Sequence, residues 1–299
     1  QSEDVDALVI AGDIYDRSVP PSNAVTLLDD ILNQICTELA IPIVLIPGNH
    51  DSADRLCFGS RQLKEAGLHV LGNLENIEQS VTLTGKSGVS VNFYGMPFNQ
   101  PENVNQQFDV TVSTHDEAHT FLVNKIKETM NVKQNNVLIS HCFVGGCDPA
   151  EESESERPLS IGGSGTVSYE PLTDFTYVAL GHLHGPQFRG EEHIQYAGSI
   201  LKYSFSEQKQ KKGVTLVEID RSGKPTIKRL PLQPLRDMRL IEGTIKQIIK
   251  QGKTDPYADD YIMVRLTDKH AILDAMGKLR DVYPNILHLE KIGLKALGE

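Results

Sequence analysis

The sequence predicts a layered α/β domain, a central β-sandwich flanked by helices, followed by a small α+β domain. Three observations carry that prediction. Short apolar runs ending in Gly, Asp, Asn or His recur along most of the chain, as buried strands that feed into loops do. The first two runs are separated by a stretch with helical spacing, which makes a strand, helix, strand unit. After Pro231 and Pro234 the pattern becomes a tight alternation of strands and helices.

The apolar runs are residues 7–13 (ALVIAGD), 43–51 (IVLIPGNHD), 136–141 (NVLISH), 177–184 (YVALGHLH) and 194–199 (IQYAGS). Between the first two, Val25, Leu28, Ile31, Leu32, Ile35 and Leu39 fall at helical spacing within Ser22–Ala40, with Ser22 as the expected N-cap. Further helices are predicted at Ser52–Ala66 and Asp116–Met130, and SVTLTG, VNFYGMPF and GVTLVEID read as strands. Beyond the prolines, MRLIEG, TIKQIIKQ, YIMVRLTD, AILDAMGKLRDVY and ILHLEKI read as strand, helix, strand, helix, strand. Prolines on both sides of Leu232 and Gln233 suit a linker, which sets the domains at 1–232 and 233–299.

A formal net charge of −11 excludes a protein that grips nucleic acid through a global positive field, so any DNA contact must be local. Part of that charge lies in EESESE, Glu151–Glu156, which reads as a solvated, mobile loop. Lys209, Lys211 and Lys212 read either as a solvated turn or as a phosphate contact. No apolar run is long enough to span a bilayer, so no membrane role is expected. Cys36, Cys57, Cys142 and Cys147 form no CxxC pair, which fits reduced thiols in a cytoplasm, with a Cys142–Cys147 disulfide left open. The opening QSEDVD lacks a basic start and an apolar stretch, so it is no signal peptide; as Gln1 is not Met, the expectation is that sequence precedes it.

Metal-capable side chains collect at the carboxyl ends of the predicted strands: Asp13 and Asp16 in GDIYDR, Asn49, His50 and Asp51 in GNHD, His141 in SHC, and His182 and His184 in GHLH. Open α/β sheets bind ligands at that edge. Singly, an Asp there is a turn residue and a His a hydrogen-bonded loop residue; together they suit metal-assisted hydrolysis. Carboxylate, amide oxygen and imidazole favour Mn, Fe or Zn over a thiolate-held structural zinc. Gly12, Gly48 and Gly181 beside these residues let backbone approach closely.

In this order GDxxDR, GNHD, an isolated strand-end His and GHxH resemble the calcineurin-like metallophosphoesterases, and YAGSILKYSFSE, residues 196–207, is similar to their SbcD branch. The resemblance implies a Mn-dependent DNA exonuclease and endonuclease of repair, recombination and replication, with two divalent ions (Fe, Zn or Mg being the other choices). It implies an SbcC-type ATPase partner, DNA as substrate, a homodimer within the complex and a small capping domain at the end. Asp13 would bridge the ions, Asn49, His141 and His182 would hold one, and His184 the other. His50 would serve the leaving oxygen and Asp16 would orient it, as carboxylates orient catalytic histidines. Arg17 reads as a phosphate clamp or a surface ion pair. The family also carries Asp-x-His on a strand before GDxxD, and nothing before Asp13 supplies it; Asp268-Lys269-His270 comes in the wrong order to replace it. One metal position would then keep two protein ligands, and a chain of this extent is expected to be inactive. A protein phosphatase or cyclic-nucleotide phosphodiesterase of the same fold, and a non-catalytic binding module, are the alternatives.

Overall fold

The first apolar run forms strand β1 (Leu8–Ala11), and the helical stretch after it forms helix α1 (Ser22–Asn33). The second run is β2 (Ile43–Ile46), parallel to β1 with Leu8 opposite Ile43 and Ala11 opposite Ile46. All four β2 residues are buried, because Val44 and Ile46 enter one apolar cluster while Ile43 and Leu45 enter another. The structure, a computed structural model, describes residues 3–145, 149–157, 159 and 165–292. They divide into one unit of Gln1–Glu152, Glu156–Gly198 and Val214–Leu230, and a second of Ser153–Ser155, Ser199–Gly213 and Pro231–Glu299.

The first unit continues through α2 (Ala53–Leu56), α3 (Ser60–Leu63), β3 (Leu68–Val70), β4 (Val81–Thr84), β5 (Ser90–Met96), α4 (Pro101–Phe108), α5 (His115–Thr129) and β6 (Asn135–His141). It then runs through β7 (Phe143–Val144), β8 (Thr166–Val167), β9 (Tyr177–Gly181), β10 (Gln187–Arg189), β11 (Glu191–Tyr196), β12 (Gly213–Ile219) and β13 (Pro225–Pro231). One sheet has the order β1-β2-β3 and is parallel throughout. The larger sheet has the order β10-β11-β9-β6-β5-β4, parallel in its middle and antiparallel at both edges. Val44 and Ile46 of one sheet pack with Val137, Ile139 and Tyr177 of the other. On the far face of the larger sheet, Leu138, Val178 and Leu180 pack with Val104 of α4 and Leu122, Val123 and Ile126 of α5. Leu32 and Ile35, in and just after α1, cover the outer face of the small sheet. The layers therefore run helix, sheet, sheet, helix, the predicted flanked sandwich.

Several predicted elements come out differently. Ser22 is not the cap of α1: Pro21, extended at φ −68° and ψ 153°, holds that place, and Ser22 is the first helical residue. The helix does not run evenly to Ala40 but passes into a π turn over Gln34–Glu38 and ends at Ala40 with φ 55°. The helix predicted at Ser52–Ala66 is broken into α2 and α3, because Gly59 takes φ 73° between them. Thr114 accepts a hydrogen bond from Glu117 N at 3.1 Å and starts α5 one residue earlier than predicted. α4 and β13 were not foreseen; α4 is mostly polar, and β13 is punctuated by Lys and Arg.

The second unit has its own parallel sheet, order β14-β15-β16, built from β14 (Met238–Gly243), α6 (Ile245–Gly252), β15 (Tyr261–Leu266), α7 (Ala275–Arg280) and β16 (Ile286–Lys291). Ile248, Ile262, Val264, Leu279, Tyr283 and Ile286 form its core. α7 begins at Ala275 instead of Ala271, because Asp274 at φ 49° caps it by accepting from Gly277 N at 3.1 Å. Asp268 is engaged here too, its carboxylate accepting from Ile245 N at 2.8 Å. Lys212 is neither a solvated turn residue nor a phosphate contact: it is buried and pairs with the fully buried Glu207 at 2.6 Å.

Among the described residues no helix is long and apolar enough to cross a membrane. Cys147, and with it the disulfide left open above, lies outside the described residues.

Candidate metal centre

Four strand ends meet at one edge of the sandwich. Asp13 follows β1, Asn49 and His50 follow β2, His141 is the last residue of β6, and His182 follows β9. The ligand atoms of Asp13, His141 and His182 all lie within 4.8 Å of one another. His141 fixes the geometry: its Nδ1 sits 2.8 Å from Ala11 O, an atom that only accepts, so Nδ1 carries the proton. Its Nε2 then presents a lone pair, and 2.9 Å away stands Asn49 Oδ1, with Asp13 Oδ2 at 3.4 Å. Electron-pair donors from carboxylate, amide and two imidazoles thus converge.

Such a set is unfavourable without positive charge between its members, and it matches the ligands of a divalent cation. Burial pushes the Asp13 carboxyl up, but the hydrogen bond and charge of His141, the backbone N–H of His50 and the charge of His50 outweigh it and bring it to about 2. Burial first, and then the charge of His141, push His182 down to about 3, so its imidazole is neutral and free to offer a lone pair. Asp13 and His182 both sit at positive φ, 50° and 107°, a strained backbone of the kind kept at functional sites. A Cβ at Gly48 would land on the Asp13 carboxylate, so only glycine lets the two loops approach.

The loops are braced by Asp51, whose role the sequence does not announce. Its carboxylate accepts from Ile14 N at 3.0 Å, Tyr15 N at 2.9 Å and Gly48 N at 2.8 Å, which ties the Asp13 loop to the Asn49 loop. The signal was the D of GNHD, a short acceptor beside a turn. His50 donates its backbone N–H to Asp13 Oδ1 at 3.1 Å, and its Nδ1 lies 2.9 Å from the main-chain oxygen of Asp16. The Asp16 carboxylate is 4.0 Å from that nitrogen and pairs instead with Arg17 at 3.1 Å, both side chains exposed. Asp16 thus meets His50 through its carbonyl more closely than through its carboxylate, and Arg17 is engaged in a surface ion pair.

His184 is not part of the convergent group; its backbone N–H donates to Glu156 Oε1 at 2.6 Å. With Glu151 N donating to Gln187 Oε1 at 3.0 Å, that bond gives both ends of Glu151–Glu156 specific partners, while Glu151, Glu152 and Glu154 stay exposed as the composition suggested. Charge counting does not reveal those partners.

The family model of the calcineurin-like phosphoesterases matches residues 1–186, and that of the Type 5 capsule protein repressor C-terminal domain matches residues 234–297. The SbcD component of the SbcCD nuclease of Staphylococcus epidermidis is 36% identical over 293 residues, covering 98% of this chain and 76% of its own length. Its counterpart from Staphylococcus saprophyticus is 36% identical over 288 residues, covering 96% and 74%. The crystal structure of phosphopantetheinyl hydrolase from Mycobacterium tuberculosis aligns over 76% of this chain and 86% of its own with a TM-score of 0.38 at 16% identity.

Proposed function

We propose, from the fact that this chain belongs to the calcineurin-like phosphoesterase family, that it is the metal-dependent nuclease component of an SbcCD complex and hydrolyses phosphodiester bonds of DNA. The observation that carries the reading is the convergence of Asp13, Asn49, His141 and His182 on one point, with His50 held beside it. The likeness to SbcD nucleases over nearly the whole chain supports the DNA substrate and the SbcC-type ATPase partner.

Divalent ions at this centre supply Lewis-acid activation of the attacking water and neutralise charge on the phosphate. The oxygen and imidazole donors suit Mn, Fe or Zn, and we take Mn as the ion used. Asp13, Asn49, His141 and His182 would hold one ion, Asp13 would be shared with a second, and His184 would serve that second one. His50 is the group for the leaving oxygen: with Nδ1 hydrogen-bonded to Asp16 O, its Nε2 is left for substrate. Asp16 positions that ring through its carbonyl. A position held by Asp13 and His184 alone would bind its ion more loosely than the other. One ion would then bind tightly, and cleavage would rise from micromolar to millimolar Mn as the looser position fills.

α1 supports pairing with a second copy, since it leaves Val25 45%, Leu27 60% and Ile31 42% exposed. A Leu27→Glu variant is then monomeric by light scattering where the parent chain is a dimer. A nuclease acting on chromosomal DNA works in the cytoplasm.

The experiment is a titration of the chain with Mn, counting bound ions and following cleavage of linear DNA. His182→Ala loses the tight ion; His50→Ala keeps it and lowers the millimolar-Mn rate by roughly 10²- to 10⁴-fold, the usual worth of a general acid. Cleavage that persists in EDTA, or phosphopeptide turnover far above DNA cleavage, overturns the reading.

A further inference from the structure

Behind the metal centre lies a polar contact inside an otherwise apolar core. Tyr196, the last residue of β11, is 1% exposed, yet its hydroxyl has two partners on the chain just after His141. Tyr196 Oη accepts from Val144 N at 2.8 Å and donates to Cys142 O at 2.7 Å. From the neighbouring strand β10, the buried Arg189 donates its Nε–H to Val144 O at 3.0 Å. The three residues following a ligand histidine are thus fastened at Cys142 O, Val144 N and Val144 O. Burial first, and then the charge of Cys142, raise the Tyr196 phenol well above its ordinary value, so it remains a donor at any working pH.

The strand order gives the clamp its meaning. In β10-β11-β9-β6, Tyr196 stands opposite Leu180 of β9, next to the Gly181–His182 end, and its side chain reaches across to the end of β6. It therefore links the two strand ends that carry His141 and His182, whose rings lie with centroids 5.6 Å apart. Neither imidazole is tethered to the other directly. The backbone of one is held by a hydroxyl on the strand beside the other.

We infer that Tyr196, assisted by Arg189, is a positioning residue that sets the spacing of His141 and His182 as metal ligands. The inference rests on the reading of those histidines as ligands. Outer contacts that orient metal ligands typically change affinity roughly 10- to 100-fold when removed. Tyr196→Phe keeps the ring and deletes only the clamp, leaving Val144 N and Cys142 O without their partner.

The test measures tight Mn affinity by calorimetry, and the visible absorption of bound Co(II) as a reporter of ligand geometry, in the parent chain and three variants. Tyr196→Phe and Arg189→Lys alter the clamp. Val104→Ala opens a cavity in the same core, on α4, and removes none of the clamp's hydrogen bonds, and so calibrates the effect of lost packing. The expected result is a roughly 10-fold weaker Mn affinity and a changed Co(II) spectrum in Tyr196→Phe, a smaller change of the same kind in Arg189→Lys, and parent-like values in Val104→Ala. If Tyr196→Phe does not fold, Arg189→Lys carries the comparison alone. Parent-like affinity and spectrum in the folded clamp variants, or equal weakening in Val104→Ala, overturns the inference. A parent chain that binds no ion overturns instead the metal reading on which it rests.

Discussion

At the scale of single residues, two polar groups make different demands. His119 on α5 is 7% exposed, with Nε2 3.2 Å from Ser140 Oγ and Nδ1 without a partner, and burial pushes it down to about 4. The folded state thus holds it neutral, while the unfolded chain protonates it near 6.5. Above pH 6.5 it has no effect on stability; as pH falls from 6.5 towards 4 the unfolded state takes up the proton first and stability is lost. At about pH 5 this amounts to about 2 kcal/mol. A His119→Gln variant should show a flatter loss of urea midpoint between about pH 7 and about pH 5 than the parent, and parallel slopes would refute the assignment. The half-buried Asp51 makes a different demand, for an acceptor: three backbone N–H groups point at it, although burial raises its carboxyl above the usual range. Asp51→Ala should cost roughly 3 kcal/mol or more, because all three are left without an acceptor, and should weaken Mn binding along with it. Intact Mn affinity in that variant would mean the two loops are held by other contacts.

At the scale of elements, capping decides where helices begin, and it was only partly visible. Thr114→Ala should cost α5 about 1 kcal/mol, the worth of an N-cap, seen as a lower urea midpoint; an unchanged midpoint would show that packing alone fixes the start. The strands at β1, β2, β6, β9 and β11 were legible because each is a short apolar run that packs into the sandwich, and the first four runs also named the residues that their ends bring to the site. Less was legible where the decisive feature is a backbone angle or a distant partner. Gly59 at φ 73° splits one predicted helix, and Asp274 at φ 49° delays another, yet both sit inside patterns with helical spacing. Asp13, Asn49, His50, His141 and His182 could be named from motifs. That His50 meets the carbonyl of Asp16, and that Asp51 braces two loops, depends on contacts 34 to 37 residues apart in sequence. Lys212 was misread because its partner Glu207 makes a buried pair that composition does not signal.

At the scale of the whole molecule, apolar clusters divide as the two units do. One set joins β1, β2, β6 and β9 with the helices over them, and contains the strands that deliver Asp13, Asn49, His141 and His182. The other joins β14, β15 and β16 with α6 and α7, and supplies none of those residues. A ligand that binds the folded state raises stability by mass action, about 2.7 kcal/mol at about a hundred times its dissociation constant. That gain belongs to the unit that makes the site. Calorimetry of the chain with and without Mn should therefore show a metal-dependent shift in the transition of the first unit, while the transition of the second stays where it was. In His182→Ala the first transition should lose most of its shift, because the tight position loses an imidazole and the remaining ligands hold the ion weakly. A Mn shift of equal size in both transitions, or one that survives in His182→Ala, would mean that the ion responsible is bound elsewhere than at Asp13, Asn49, His141 and His182.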